Sequence, residues 1–501
     1  MSNQNQSFTL DTVAVHMALL RSGKVIAFTG DDRKISNWNR GKSSLWDPTS
    51  ENDRKNPELR RNLFCCGHCF LPDGRLFVAG GQSTVHRLDL GLLSFLGILQ
   101  IFVRGADHDI HTFDPIEEKW HRHKGMPKAR WYPTCVTLPD GKALIVSGIY
   151  SQAHNFVFKN YFINLDYEIF DPTTNTLSKP KPFLKEIKAY PFLQVLPGGT
   201  LFVHYQNKTR LWNVLTKEFY PKVFPTKLNG TRTYPGMGSC TLLPLVTGEK
   251  IKLLIVGGSE KINPNDDTPA TNKAEIFEFN PSDPPTSAGW RDTNPTNEKR
   301  FLSDSLLLPD GTVLVTNGAA TGTSDHNHDS VRTIELFDPK NETWKKIGSI
   351  QKDRLYHCTA VLLGDGRVVI GGSTGHDWPP KPEDNEKTIE IFRPPYLNGD
   401  PTRPIINLAP ATLVYDSTFE ISYSSEAEID SAALIRLSST THNNNMDQRY
   451  VSLSILEKST NLLKARSPKD GTYAPPGYYM LFLLNNQKVP SIAKFVKLAI
   501  K

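Results

Sequence analysis

The sequence predicts an all-β protein, a seven-bladed kelch-type β-propeller followed by a C-terminal immunoglobulin-like β-sandwich. Three observations predict it. First, a motif recurs: an apolar strand, a Leu-Pro-Asp-Gly turn, a second apolar strand ending in Gly or Gly-Gly, then Phe-Asp-Pro and often Trp. Second, seven copies follow one another about 50 to 67 residues apart, close to the kelch period. Third, after Phe392 the motif gives way to short alternating runs.

The clearest copies start at Leu71-Pro72-Asp73-Gly74, Leu138-Pro139-Asp140-Gly141, Leu308-Pro309-Asp310-Gly311 and Gly364-Asp365-Gly366. They run to Phe113-Asp114-Pro115, Phe170-Asp171-Pro172, Phe337-Asp338-Pro339 and Ile391-Phe392. Weaker copies end at Trp46-Asp47-Pro48, Leu211-Trp212 and Ile276-Phe277. Asp-Gly between apolar runs is a hairpin turn, because Gly takes positive φ without steric cost. One such twisted sheet cannot bury both faces alone, and radial stacking buries them. The N-terminal strands are expected to pair with the last blade and close the ring. The propeller is assigned to residues 1–396 and the sandwich to 397–501. Runs such as Phe419-Glu420-Ile421-Ser422-Tyr423 and 478–484 supply the sandwich strands.

The bulk properties exclude several classes. Among 501 residues, 22% are charged and 38% hydrophobic, which fits a globular protein. The net charge of +6 is spread without a basic block, so nucleic acid is not an expected partner. Six cysteines do not make a disulfide scaffold. The first 20 residues lack a signal-peptide pattern, so the chain reads as cytoplasmic as written, or secreted if a leader is missing. The apolar segment 88–103 is too short for a comfortable membrane span and reads as a packed insertion or as a lid or membrane-touching element.

The stretch Phe64-Cys65-Cys66-Gly67-His68-Cys69 raises the question of chemistry. Cys66 and Cys69 have CxxC spacing, but no second CxxC completes a zinc site. Strand alternation also sends Cys65 and Cys69 to one face and Cys66 and His68 to the other. Tyr132 and Tyr356 begin the strands in their repeats that Cys65 begins in its own. Cys65, Tyr132, Tyr356 and His357 are therefore expected to converge on the ring axis.

These motifs resemble the copper-radical oxidases, the galactose oxidase and glyoxal oxidase family, over almost the whole chain. Phe64-Cys65 resembles the family's Phe-Cys, and Ala129-Arg130-Trp131-Tyr132 its Ala-Arg-x-Tyr. Arg354-Leu355-Tyr356-His357 resembles its Arg-x-Tyr-His, and Thr441-His442 with Asp447-Gln448-Arg449 resembles the histidine loop of its C-terminal domain. The resemblance implies a Cys65–Tyr132 thioether that carries a radical, and one copper held by Tyr132, Tyr356, His357 and His442. Cys65, Tyr132 and Tyr356 would be catalytic, with Tyr356 taking the substrate's hydroxyl proton. The implied reaction is a two-electron oxidation of a primary alcohol or small aldehyde, with dioxygen reduced to hydrogen peroxide. A monomer with no stable membrane span is expected.

The chain departs from galactose oxidase where that enzyme stacks a tryptophan over the thioether. Tyr150 stands there and is expected to shield the radical. Thr231-Arg232-Thr233-Tyr234-Pro235 looks more like the glyoxal oxidase branch. Arg232 has two readings, a hydrogen bond to a substrate oxygen or a structural salt bridge. His326 and His328 are read as a solvated loop, His108 and His111 as structural, and His376 as a pocket rim. The competing hypothesis is a non-catalytic propeller that keeps the fold and binds a partner.

Overall fold

The computed structural model describes residues 6–30, 40–50, 54–88, 101–154, 159–374 and 385–500. Seven antiparallel sheets succeed one another along the chain, each opening on its inner strand: His16–Leu19, Gly67–Phe70, Thr134–Thr137, Phe192–Leu196, Ser239–Leu242, Asp304–Leu307 and Thr359–Leu362. Every residue of these inner strands is buried, because blades cover both of their faces. Outer strands such as Lys119–His123 and Thr343–Ser349 are largely open to water. The seventh blade takes its fourth strand from the N-terminus, with Gln6 opposite Ile391 and Thr9 opposite Thr388. The ring closes as the sequence predicts.

The Pro-Asp-Gly turns explain the repeat. Gly74, Gly141 and Gly311 have φ of 90°, 84° and 83°, and each amide donates to the carbonyl three residues earlier. This is a tight turn finished by a left-handed residue, which glycine adopts at no steric cost.

Four blades carry a buried ion pair at one equivalent place. Arg130–Glu168, Arg232–Glu275, Arg300–Glu335 and Arg354–Glu390 join the entry to the inner strand with the third strand, at 2.6–2.9 Å. Each arginine also donates to a carbonyl at the end of the second strand: Ser147, Gly257, Asn317 and Gly372.

The C-terminal unit has two packed sheets. Ile405–Leu408, Thr418–Ser424, Ser454–Lys458 and Leu462–Arg466 form one. Thr412–Val414, Ile429–Arg436, Tyr450–Ser452, Gly477–Asn485 and Lys494–Ala499 form the other. Phe419, Ile421 and Leu463 meet Leu434, Leu481 and Val496 between them. Alternate residues of the second sheet, Ala433, Ile435, Met480 and Phe482, pack instead into the propeller's core.

A short hairpin, Ser439–Thr441 and Asn444–Asn445, leaves this unit and adds to the inner strand of the first blade, with His16 opposite Thr441 and Ala18 opposite Ser439. Its two-residue tip, His442-Asn443, has φ of 49° and 64°. Positive φ at both positions is the hairpin turn whose twist matches its strands, and Asn and His are among the side chains that tolerate it. At the hairpin's exit, Gln448 bonds both backbone groups of Leu307, and Arg436 joins Asp447 at 2.9 Å while donating to Phe70 O.

Burial holds His68 and His204 down at about 3. The unfolded chain therefore binds more protons than the folded one below the ordinary histidine value of 6.5. Stability present above that value is lost as pH falls toward 3, by roughly 1.4 kcal/mol per pH unit for each histidine. Urea midpoints of protein without added metal are expected to drop steeply from pH 7 to pH 5, and a flat profile would contradict it.

Residues 89–100 of the apolar segment and His376 lie outside the described residues. No helix among the described residues is long and apolar enough to cross a membrane.

Candidate active site

One position recurs in each blade, two residues before the inner strand. Cys65, Tyr132, Tyr190 and His357 occupy it in blades two, three, four and seven, with φ of 58°, 63°, 45° and 67°. Left-handed backbone costs a non-glycine residue about 1 kcal/mol or more and needs surrounding bonds to hold it. Here successive blades clasp each other: Tyr132 N donates to Cys65 O at 2.8 Å, and Tyr190 N to Tyr132 O at 2.9 Å. The bend turns each side chain toward the axis, where the hairpin tip delivers His442.

The five residues expected to converge do so. Tyr132 and Tyr356 hydroxyls are 2.9 Å apart. Cys65 Sγ is 3.2 Å from His442 Nε2, and ligand atoms of Cys65, His357 and His442 lie within 4.8 Å of one another. Cys65 also stands in hydrogen-bond contact with Tyr132. All five are at most 6% exposed, so water scarcely reaches the centre.

Second contacts fix both imidazoles. His357 Nδ1 lies 2.6 Å from Thr374 Oγ1, and His442 Nδ1 lies 2.5 Å from Thr441 Oγ1. The Thr441 hydroxyl donates to Val15 O, so it can only accept from His442, which puts the proton on Nδ1. The Nε2 lone pair of His442 is then turned inward, and His357 Nε2 is buried without a hydrogen-bond partner. Burial holds His357 at about 3 and pushes His442 well down, with His357 adding to the second shift. Both rings are neutral and able to ligate.

Two neutral imidazole nitrogens and two phenol oxygens make a donor set suited to copper(II). Burial, then Cys65 and Tyr356, push the Tyr132 phenol well up in the protein alone. A divalent cation reverses that preference and favours phenolate. The residues present therefore fit a copper ion, which Tyr132, Tyr356, His357 and His442 would hold.

Two expected residues are placed elsewhere. Tyr150 is 40% exposed, with Phe162 6.0 Å away and the Lys128 ammonium above its ring. Among the described residues, the rings against Tyr132 are Trp131 at 4.5 Å, Tyr234 at 4.7 Å, Tyr190 at 4.8 Å and His442 at 5.3 Å. Trp131, Tyr190 and Tyr234 thus cover the Tyr132 ring. Tyr150 is the second residue of the strand Ile149–His154, which pairs with Ile101–Ala106 and Lys159–Ile163 in a sheet separate from the blade. Arg232 is fully buried; its two terminal nitrogens donate to Glu275, Gly257 O and Lys273 O, while Nε is buried without a hydrogen-bond partner. It belongs to the set of buried blade ion pairs, the structural one of its two readings.

Tyr190 escaped the sequence reading. Its signal was Tyr190-Pro191, which repeats Tyr132-Pro133 and Tyr234-Pro235, but the fourth repeat's turn lacks Asp and its register was hard to fix. Its ring lies 4.8 Å from His442, and its hydroxyl donates to Cys66 O at 2.8 Å. Cys66 and Cys69 are buried and fall into separate core clusters, although the strand starts only at Gly67 and alternation does not extend to Cys66. His328 is solvated beside Asp329, and His108 bonds Met126 O.

Comparison with known proteins gives the same direction. The glyoxal oxidase N-terminus model matches residues 102–396, and the galactose oxidase-like early set domain model matches 403–498. An aldehyde oxidase of Vitis pseudoreticulata is 28% identical, covering 88% of this chain and 83% of that protein. A WSC domain-containing protein of Arthroderma benhamiae is 29% identical over 88% of this chain, which spans only 46% of that relative. A galactose oxidase of Gibberella zeae is 26% identical over 91% of this chain and 64% of its own length. Among solved structures, a fungal alcohol oxidase in complex with copper superposes with a TM-score of 0.79 over 99% of both chains, at 21% identity. With one family model spanning more than half of its residues, the chain belongs to the glyoxal oxidase family.

Proposed function

We propose that the protein is a copper-radical oxidase that oxidises small aldehydes or simple primary alcohols and reduces dioxygen to hydrogen peroxide. The observation that supports it is the convergence of Cys65, Tyr132, Tyr356, His357 and His442 on one buried point, with both Nε2 atoms facing inward. A non-catalytic binding propeller has no use for imidazoles locked in that way.

Copper, when bound, supplies a one-electron couple and a Lewis acid. The remaining oxidising equivalent resides on Tyr132. A thioether from Cys65 puts an electron-rich sulfur on that ring and makes its one-electron oxidation easier. Tyr356, 2.9 Å from the Tyr132 oxygen, accepts the proton of the substrate hydroxyl. The Tyr132 radical then takes a hydrogen atom from the adjacent carbon. An aldehyde reacts as its hydrate, which offers the same hydroxyl and C–H. Two electrons and two protons leave the substrate, and dioxygen carries them away as hydrogen peroxide. Trp131, Tyr190 and Tyr234 keep water from the radical. Half-buried Phe64, 5.0 Å from the His357 ring, gives the entrance an apolar wall that favours small substrates over sugars.

Loading with copper in air, followed by a peroxide assay over aldehydes, simple alcohols and galactose, tests the reading. Peroxide from none of them, with copper bound, would overturn it. Tyr356→Phe is expected to lower kcat about a hundredfold, the usual scale for losing a general base. KM should change little and the Cys65–Tyr132 link should still form; an unchanged kcat would remove Tyr356 from proton transfer.

A further inference from the structure

Behind the five site residues lies a second buried chain of polar groups that the mechanism above does not use. Cys65 N–H donates to His16 Nε2 at 3.0 Å. His16 Nδ1 faces His68 Nε2 at 3.2 Å, and His68 Nδ1 meets the Ser439 hydroxyl. That hydroxyl reaches back to His68 O at 3.2 Å. His16, His68 and Ser439 are all 0% exposed.

The proton order follows from the first bond. A backbone amide only donates, so His16 Nε2 accepts and the neutral ring carries its proton on Nδ1. Nδ1–H then donates to His68 Nε2. His68 in turn carries its proton on Nδ1 and donates to Ser439, whose own proton goes to His68 O. One tautomer of each ring satisfies every bond. The same order rules out a second metal site: Cys66 Sγ lies 3.7 Å from His16 Nδ1, but that nitrogen bears a proton and has no lone pair to offer.

The chain also ties parts of the site together. His16 lies on the inner strand of blade one, which holds none of the five site residues. That strand pairs with the hairpin bearing His442, with His16 opposite Thr441, and Ser439 opens the same hairpin. Cys65 sits in left-handed backbone two residues before its strand, and its amide is held by His16. Its side chain must be held 3.2 Å from His442 and against Tyr132. The His16 ring is itself clamped, stacked on Phe28 at 4.8 Å and 12°.

We propose that His16, backed by His68 and Ser439, is a positioning residue that presets Cys65 for bonding to Tyr132. The proposal rests on the functional reading above. In the coupling, the Cys65 S–H and one ortho C–H of Tyr132 break and an S–C bond forms. Two protons and two electrons pass to dioxygen, giving hydrogen peroxide.

The test follows formation of the linked Cys65–Tyr132 peptide by mass spectrometry after copper is added in air. His16→Phe keeps the ring stack but loses the acceptor. It is expected to slow linking at least tenfold, with copper still bound at one ion per chain. His16→Gln, whose side-chain carbonyl can accept the amide, should recover most of the rate. Ser439→Ala, a small change at the far end, should slow linking severalfold and reads the same chain if His16→Phe does not fold. Linking at the wild-type rate in a folded His16→Phe or Ser439→Ala variant overturns the proposal. If the wild type itself never links, the functional reading fails instead. Hydrogen exchange at the Cys65 amide then decides the positioning role: protection should fall at least tenfold in His16→Phe or Ser439→Ala, and unchanged protection overturns it.

Discussion

Replacing Cys65 by Ser is expected to abolish the link to Tyr132 and to lower kcat/KM at least about a thousandfold, or about 4 kcal/mol of barrier. Serine preserves the size and burial of a side chain that is 0% exposed. Its hydroxyl cannot become a thioether, so Tyr132 keeps an unsubstituted ring that is harder to oxidise. Copper binding should survive, because His357 and His442 keep their Nδ1 anchors on Thr374 and Thr441. The informative result is this dissociation. The wild type gives a cross-linked peptide lighter by two hydrogens, while the variant gives two separate peptides, bound copper and almost no peroxide. Substantial peroxide from the serine variant would take the thioether out of the mechanism and leave a copper oxidase of another kind.

The large architecture was legible because its determinants are local. An Asp-Gly turn between apolar runs needs little tertiary context, and four such turns with three weaker copies of the same repeat specify a ring. The convergence of Cys65, Tyr132 and His357 could be read for a related reason: a repeat maps equivalent sequence positions onto equivalent places around an axis, and Tyr356, expected at that position, stands one residue ahead of it. His442 lies outside the repeat, and only its likeness to a known loop pointed to it. The failures share one cause as well. Tyr150 is expected over the thioether by likeness alone, yet it lies in the strand Ile149–His154 of a separate sheet, while the rings of Trp131 and Tyr234 lie against Tyr132. The His16–His68–Ser439 chain joins residues up to 371 positions apart by single hydrogen bonds, and no local pattern marks such partners.

Arg232 shows how the same repeat separates support from chemistry. Arg232→Met is expected to destabilise the fold by about 3–5 kcal/mol, the usual cost of leaving a buried charge without its partner. Glu275 would remain 0% exposed, accepting only from the amides of Lys227 and Leu228, both at 2.9 Å. The carbonyl of Gly257 would lose its Arg232 donor as well, while that of Lys273 would keep only the Gly257 amide. Arg300→Met is the matched control, since Arg300 meets Glu335 at 2.6 Å in the next blade, as Arg232 meets Glu275. The two variants should lower the thermal midpoint alike, and Arg232→Met measured below its midpoint should keep the wild-type KM. Changing both partners at once, Arg232→Met with Glu275→Met, should recover part of the loss, because no charge is then stranded. A substrate-binding Arg232 predicts the opposite: a KM raised about tenfold or more, roughly 1.4 kcal/mol of lost binding, with a nearly unchanged midpoint and no rescue by the second substitution. A guanidinium with every contact made inside its own blade leaves that outcome without a structural basis, and assigns Arg232 to holding the blade that presents Tyr234.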